Sequence, residues 1–215
     1  CELETDSLAV FLIWNRRAER REVVCGIPDE QFCRGKVPMT KEEVRSISIS
    51  KLRLWKDAVI YDVGAGTGSV AVEMALQAPD GVVYAVEKNE EAVALLGKNR
   101  VAFAVDHLKI VHGKAPEALE NLPAPTHVFI GGSSGNLKEI LDIVLKKNKA
   151  VRVVINAITL ETVTEALTYL KEQEISGAEV VSVQTARARE VGRYHMMTGQ
   201  NPVYVISFGG ERQER

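Results

Sequence analysis

From residue 58 onward, short runs rich in valine and isoleucine alternate with longer segments whose apolar residues recur at helical spacing. This alternation is typical of β-α-β units, in which successive strands lie parallel and helices pack against the sheet. We therefore predict an α/β fold with seven strands and helices on both faces of the sheet. The predicted strands are residues 58–63, 82–87, 108–112, 127–131, 150–156, 178–186 and 203–208.

The last two predicted strands have no segment of helical period between them, so we predict that they form an antiparallel pair. The stretch that connects them, residues 187–199, is polar and contains two glycines, which favours a long loop. Long loops in compact domains are often functional. The prediction is thus a Rossmann-like fold with a seven-stranded, mostly parallel sheet and an antiparallel last strand.

The composition narrows the range of functions. The 215 residues suit one domain with a short extra piece, and no apolar run approaches the ~20 residues of a membrane span. A formal charge of −2 provides no overall field that would attract nucleic acid or an anionic membrane surface. The three cysteines lack the spacing of a zinc or redox site, so we predict no metal. Without a recognisable signal peptide, a cytoplasmic location is expected.

A glycine-rich turn follows the first predicted strand, in the run Asp62-Val63-Gly64-Ala65-Gly66-Thr67-Gly68. Glycines at the start of a helix let the backbone turn tightly and let a ligand approach the main chain. A dinucleotide site requires the pattern Gly-x-Gly-x-x-Gly, and here the third glycine comes one position early. The spacing favours S-adenosylmethionine over a dinucleotide, with a purely structural turn as the remaining alternative.

Positions beyond this turn complete the predicted cofactor site. Glu87 ends the second predicted strand, where a carboxylate can accept hydrogen bonds from both hydroxyls of a ribose. Residues 113–115 follow the third predicted strand, where either an adenine-contacting turn or an ordinary turn is compatible with the sequence. The predicted cofactor-binding residues are Thr40, Asp62, Gly64, Ala65, Gly66, Thr67, Gly68, Glu87, Lys88, Lys114, Ala115 and Gly131.

Two segments are candidates for substrate binding. The fourth predicted strand leads into a glycine-rich helix start, whose free N–H groups suit a carboxylate, although a plain flexible loop is the alternative. The polar loop at residues 187–199 carries cationic groups that could clamp carboxylates or phosphates, or simply remain solvated. The predicted substrate-binding residues are Gly132, Ser133, Arg187, Arg189, Arg193 and His195. No catalytic residue can be assigned from spacing alone.

Five motifs stand at characteristic distances along the chain: Val37-Pro38-Met39-Thr40-Lys41, the glycine turn, Glu87-Lys88-Asn89, Gly113-Lys114-Ala115-Pro116-Glu117 and Ile130-Gly131-Gly132-Ser133. Taken together, they resemble the CbiT family, the decarboxylating carbon-15 methyltransferases of cobalamin biosynthesis, and the C-terminal half of precorrin-6Y methyltransferase (CobL). The resemblance covers about residues 26–209, and one departure is Lys114, where the family often has an acid.

The resemblance implies an activity and partners. The cofactor is S-adenosylmethionine, and the substrate is precorrin-6B or its cobalt form, which is methylated at carbon 15 and loses carbon dioxide from the acetate on carbon 12. It further implies a homotetramer with no nucleic-acid or membrane partner. The alternatives are an RNA or DNA methyltransferase of the same fold and a cofactor-binding regulatory module.

The beginning of the chain differs from the rest. Residues 8–22 resemble the end of a tetrapyrrole methylase of the CbiE type, which precedes this domain in fused enzymes, and the chain starts with Cys1 rather than methionine. We therefore predict that residues 1–25 are a remnant of that domain with its linker. Residues 26–215 are predicted to form the methyltransferase domain.

Overall fold

The computed structural model describes residue 10 and residues 25–210. The predicted N-terminal remnant lies almost wholly outside these residues and stays a prediction. The strands are β1 (Val59–Val63), β2 (Val82–Glu87), β3 (Leu108–His112), β4 (His127–Ile130), β5 (Arg152–Ala157), β6 (Glu179–Val183), β7 (Ala186–Val191), β8 (Tyr194–Gly199) and β9 (Val203–Phe208).

Seven of these strands form one twisted sheet, in the order β3-β2-β1-β4-β5-β9-β6. Strands β1 to β5 pair in parallel, whereas β9 runs antiparallel to both of its neighbours, β5 and β6. The predicted fold class is confirmed, including the antiparallel strand. Because the parallel strands share one direction, their carboxyl ends meet at a single edge of the sheet.

Helices cover both faces of this sheet and enclose two apolar cores. The helices are α1 (Glu42–Leu52), α2 (Ser69–Gln77), α3 (Glu90–Ala102), α4 (Leu137–Lys147) and α5 (Leu160–Glu172), with short 3-10 turns at Asp29–Gln31 and Glu117–Leu119. Side chains of α1, α2 and α3 contribute to one core. Those of α4 and α5 contribute to the other, on the opposite face.

The prediction of a long loop at residues 187–199 is wrong, because these residues form a β-hairpin. Strands β7 and β8 pair antiparallel as a separate two-stranded sheet, with Val191 opposite Tyr194. The turn between them is Gly192-Arg193, with Gly192 at a φ of 61°, as two-residue hairpins require. Nearly every hairpin residue is exposed on both faces. The strands therefore lack the apolar alternation by which half-buried strands are recognised.

A buried cation fastens the segment before α1 to the core. The Arg45 side chain is fully buried, and its Nε donates to Glu73 Oε1 over 2.6 Å. Its Nη1 lies 3.2 Å from Asp29 Oδ1 and donates to the carbonyl oxygen of Thr40 over 2.7 Å. The Glu73 carboxylate also accepts from the backbone N–H of Ile27. This network fixes the path of residues 26–41, which reach the site described next.

Candidate cofactor and substrate site

A cavity of about 600 Å³ opens at the carboxyl ends of the parallel strands. It lies where the strand order reverses between β1 and β4, which is where open α/β sheets bind their ligands. Its wall is formed by residues 36–41, the glycine turn after β1, the end of β2, residues 113–115 after β3, residues 131–134 after β4, and residues 156, 158, 200, 201 and 203 near β5 and β9.

The glycine turn is held between two other segments of the cavity wall. Gly64 has a φ of 74°, and a Cβ on it would lie 2.6 Å from the carbonyl oxygen of Gly132. Gly66 has a φ of 55°, and a Cβ there would lie 3.1 Å from the carbonyl oxygen of Pro38. Both positions combine a left-handed backbone with a close main-chain neighbour. Protein packing, as well as ligand approach, therefore requires glycine in this turn.

Glu87 joins the glycine turn to the end of β2. Its Oε2 accepts from the backbone N–H of Gly66, and its Oε1 accepts from those of Lys88 and Asn89, each over 2.8 Å. A carboxylate offers roughly four acceptor positions, so these bonds leave about one for a ligand. Glu87 lines the cavity, and it can thus accept one hydroxyl while it anchors the turn.

Asp62 lies behind the turn rather than in the cavity wall. It is fully buried, and neither carboxyl oxygen accepts a hydrogen bond from a described residue. Burial, together with the nearby Glu87 carboxylate, raises the pKa of Asp62 to about 8. The group is therefore protonated at neutral pH, which avoids an unpaired charge in the core.

This protonation gives a testable pH dependence. The unfolded pKa of an aspartate is about 3.9, so between that value and about 8 the folded state holds the extra proton. The stabilisation is complete below the unfolded pKa and is lost as the pH rises through the folded one. We expect the free energy of unfolding of wild type, relative to Asp62→Asn, to fall between about pH 5 and pH 8.

Urea unfolding of both proteins across this range measures the difference. The two proteins must be compared because a second buried group also makes the stability depend on pH. Burial lowers the pKa of His127 to about 4, so below about pH 6.5 its contribution makes the free energy of unfolding rise with pH. Wild type and Asp62→Asn share this contribution, which cancels in their difference. Parallel pH curves for wild type and Asp62→Asn would contradict the assignment of the proton to Asp62.

The structure brings most of the predicted site residues together. The predicted residues that line the cavity are Thr40, Gly64, Ala65, Gly66, Thr67, Glu87, Lys88, Lys114, Ala115, Gly131, Gly132 and Ser133. The predicted residues outside its lining are Asp62, Gly68, Arg187, Arg189, Arg193 and His195.

The Arg187 guanidinium forms ion pairs with acidic side chains of the same chain. Its Nε and Nη2 donate to the two carboxylate oxygens of Glu43, each over 2.9 Å, and its Nη2 lies 3.7 Å from Asp29 Oδ2. The hydrogen bond from Arg187 lowers the pKa of Glu43, and that bond in turn raises the pKa of the guanidinium. Arg187 thus docks the hairpin on α1. Arg189, Arg193 and His195 lie further along the exposed hairpin.

Nineteen of the 31 residues that line the cavity were not among the predicted site residues. Two of them, Gln200 and Asn201, precede β9, and because β9 is antiparallel its start lies at the carboxyl edge of the other strands. Asn156 lies near the carboxyl end of β5, so the general rule for open sheets could have indicated it. The missed residues also include Lys36, Lys41 and Ile158.

The part of the chain that the structure describes contains no group of three or more histidine, cysteine or acidic side chains placed to hold a metal ion. None of its helices has the length and apolar character needed to cross a membrane.

The chain is similar to known proteins over most of its length. The family model described as a precorrin methyltransferase domain matches residues 31–208. A Pyrobaculum calidifontis protein named probable cobalt-precorrin-6B C(15)-methyltransferase (decarboxylating) is 44% identical over 185 residues, which cover 85% of this chain and 94% of the relative. The Salmonella typhimurium protein named cobalt-precorrin-6B C(15)-methyltransferase (decarboxylating) is 39% identical over 181 residues, covering 83% and 93%.

Solved structures are similar over the same region. A precorrin-6y C5,15-methyltransferase from Geobacter metallireducens superposes with a TM-score of 0.82 at 39% identity, covering 87% of this chain and 99% of that one. The C-terminal domain of precorrin-6Y C5,15-methyltransferase from Rhodobacter capsulatus superposes with a TM-score of 0.74 at 29% identity, covering 86% of this chain and 98% of that one. A tRNA (m1A58) methyltransferase from Aquifex aeolicus superposes with a TM-score of 0.66 over 83% of this chain and 72% of that one. At 19% identity, this similarity shows a shared fold and nothing more.

Proposed function

Because the chain belongs to the family of precorrin methyltransferase domains, we propose that it methylates carbon 15 of precorrin-6B, or of its cobalt form, and removes the carboxylate of the carbon-12 acetate. The family resemblance inferred from the motifs is confirmed, and the chain is a decarboxylating precorrin methyltransferase. The observation that carries the substrate proposal is that relatives named for this reaction match the chain along nearly their whole length.

The cavity fits S-adenosylmethionine as the methyl donor. The backbone of residues 64–67 faces the cavity beside the Glu87 carboxylate, which retains an acceptor position for a ribose hydroxyl. Lys114 and Ala115 line the cavity after β3, and we assign them to the adenine end of the cofactor, whereas Asp62 and Gly68 lie behind the turn. When bound, the cofactor supplies an already electrophilic sulfonium methyl. The protein's part is therefore to position the acceptor carbon and exclude water, so that no catalytic base is required.

Glu87→Ala should weaken cofactor binding by about 5- to 150-fold, the equivalent of losing about 1–3 kcal/mol of charged hydrogen bonds. Isothermal titration calorimetry measures the change. The matched control is Glu90→Ala, which removes the same charge at the start of α3 but outside the cavity lining. Equal affinities of the two variants would contradict a ribose contact at Glu87.

For the substrate, we propose contacts along the β4 loop. Gly132 and Ser133 line the cavity after β4. The Gly132 N–H donates to the carbonyl oxygen of Val63, so the Ser133 N–H and hydroxyl are the groups of this pair that can bind a carboxylate of a tetrapyrrole. Arg189, Arg193 and His195 do not line the cavity of a single chain. Their proposed substrate contacts therefore depend on the assembly of several chains.

We propose that the protein is a homotetramer assembled through the β7–β8 hairpin. Isolated two-stranded hairpins are marginal in water, and exposed apolar groups of this kind mark interaction surfaces. The exposed fractions on the hairpin are 40% for Val191, 62% for Tyr194, 57% for Met196 and 67% for Met197.

Charges placed on the hairpin should disrupt this assembly. Met196 and Met197 are successive residues of β8, so Met196→Asp with Met197→Asp places one carboxylate on each face of the hairpin. The double variant is expected to convert the tetramer to smaller species in sedimentation analysis, because burying these carboxylates in an interface is costly. Val101→Asp, at an α3 residue that is also highly exposed, is the control and should leave the tetramer intact. A monomeric wild type, or an unaffected double variant, would contradict the hairpin interface.

The preceding CbiE-type domain also stays a proposal, which the length of the full gene product tests.

Transfer of labelled methyl groups distinguishes this function from RNA methylation on the same fold. The protein is incubated with labelled cofactor and, in separate reactions, precorrin-6B, its cobalt form and a transfer RNA. We expect label in a tetrapyrrole and none in RNA. Label in RNA, with affinity that falls steeply with salt, would overturn the proposal in favour of a nucleic-acid substrate.

A further inference from the structure

The end of the cavity near β5 and β9 differs in character from the cofactor end. Its polar side chains are neutral carboxamides, on Asn156, Gln200 and Asn201, with aliphatic Ile158 and Val203 beside them. Asn156 is tied to α1, because its Oδ1 lies 2.9 Å from Ser48 Oγ. The carboxamides of Gln200 and Asn201 make no hydrogen bond to any residue between 25 and 210, so both retain their donors for a ligand.

The cations closest to this end are neutralised by acids of the same chain. Lys41 Nζ lies 3.6 Å from Asp29 Oδ2. Arg187 forms its two-bond pair with Glu43 and does not line the cavity. The other lysines of the cavity wall belong to the opposite end: Lys88 and Lys114 follow β2 and β3, and Lys36 is next to Gly35, which packs against α3. Among residues 25–210, the β5–β9 end therefore offers N–H donors without a free positive charge.

Loss of carbon dioxide from an acetate side chain requires such an environment. The bond between the methylene carbon and the carboxylate carbon breaks, and its electron pair passes into the conjugated macrocycle. Neutral carbon dioxide leaves, and the methylene carbon then takes a proton from water to become a methyl group. Since the negative charge leaves the carboxylate as the bond breaks, an ion pair would stabilise the starting carboxylate more than the transition state. A neutral donor orients the group at a smaller cost in reactivity.

We propose that the Gln200 and Asn201 carboxamides bind the substrate carboxylate that is lost, and that the lack of a free cation from residues 25–210 at their end of the cavity permits its loss. This inference rests on the proposed function and names the residues that act in its decarboxylation step. It assigns the reacting acetate to the β5–β9 end, away from the lysines that can bind the carboxylates that are kept.

The test separates the two chemical events in each variant. Release of labelled carbon dioxide from precorrin-6B is measured beside transfer of the labelled methyl group, in single-turnover reactions. The variants are Asn201→Lys, which adds a cation, and Asn201→Leu, which removes the donor at similar size. The control Asn121→Lys adds the same charge at an exposed residue outside the cavity lining.

We expect Asn201→Lys to slow release of carbon dioxide about tenfold more than it slows methyl transfer, which corresponds to a difference of about 1.4 kcal/mol between the two barrier increases. Asn201→Leu should also slow the release, and Asn121→Lys should match wild type in both events. Unchanged release in the Asn201 variants, or an equal fall of both events, would overturn this inference while leaving the proposed function intact. A wild type that performs neither event would overturn the proposed function and this inference together.

Discussion

Replacing Gly64 with alanine is expected to reduce methyl transfer by about a hundredfold or more, because the added Cβ cannot be placed without moving the cofactor turn. The Cβ would lie 2.6 Å from the carbonyl oxygen and 2.9 Å from the nitrogen of Gly132, and both are backbone atoms. Either the glycine turn or the β4 loop must then shift, and both line the cavity. Displacement of a positioning segment by about 1 Å can itself cost about a hundredfold in rate.

A second glycine separates this steric effect from backbone strain. Gly177 has a φ of 70°, close to the 74° of Gly64, but a Cβ there would have no neighbour within 4 Å. Gly177→Ala should therefore lose some stability, about 1 kcal/mol for the left-handed backbone, and keep its activity. Steady-state rates and cofactor dissociation constants are compared in both variants. Equal rates would contradict the tight contact between the glycine turn and the β4 loop.

Arg45→Met is expected to lower the free energy of unfolding by about 3–5 kcal/mol, because it leaves the buried Glu73 carboxylate without its cation and removes one of the cations that contact Asp29. The Arg45 and Glu73 side chains are fully buried, and that of Asp29 is nearly so. The same change releases the carbonyl oxygen of Thr40, which accepts from Arg45 and belongs to the cavity wall. Weaker cofactor binding should accompany the loss of stability.

Urea unfolding measures the stability, with Arg34→Met as the control, because Arg34 is exposed and forms no ion pair with a described residue. A triple variant, Arg45→Met with Asp29→Asn and Glu73→Gln, should recover part of the loss, since no unpaired charge is then buried. A loss below about 1 kcal/mol in Arg45→Met, within the range of ordinary surface pairs, would contradict the central role of this cation.

The sequence predicted the sheet well wherever strands are buried. All four residues of β4 are buried, and so are five of the six in β5, and each strand contains three apolar residues in succession. The hairpin was missed because it is exposed on both faces, and because the apolar residues that alternate with arginine in β7 are small alanines. The glycine turn and Glu87 were found because local spacing specifies them.

The substrate side of the site depends on contacts that local spacing does not contain. Arg187 was predicted to bind substrate, but its partner Glu43 lies 144 positions away in the sequence. Gln200 and Asn201 reach the cavity only because β9 inserts antiparallel between β5 and β6. Charge and position along the chain therefore could not indicate which polar groups face the cavity.

The mass of the tetrapyrrole product tests the central claim most directly. The protein is incubated with S-adenosylmethionine and precorrin-6B under conditions that exclude oxygen, and the product is analysed by mass spectrometry with the methyl carbon of the cofactor isotopically labelled. We expect a product that has gained one labelled methyl group and lost one carbon dioxide. A tetrapyrrole that gains no methyl group with either precorrin-6B or its cobalt form, from protein that binds the cofactor, would contradict the proposed function.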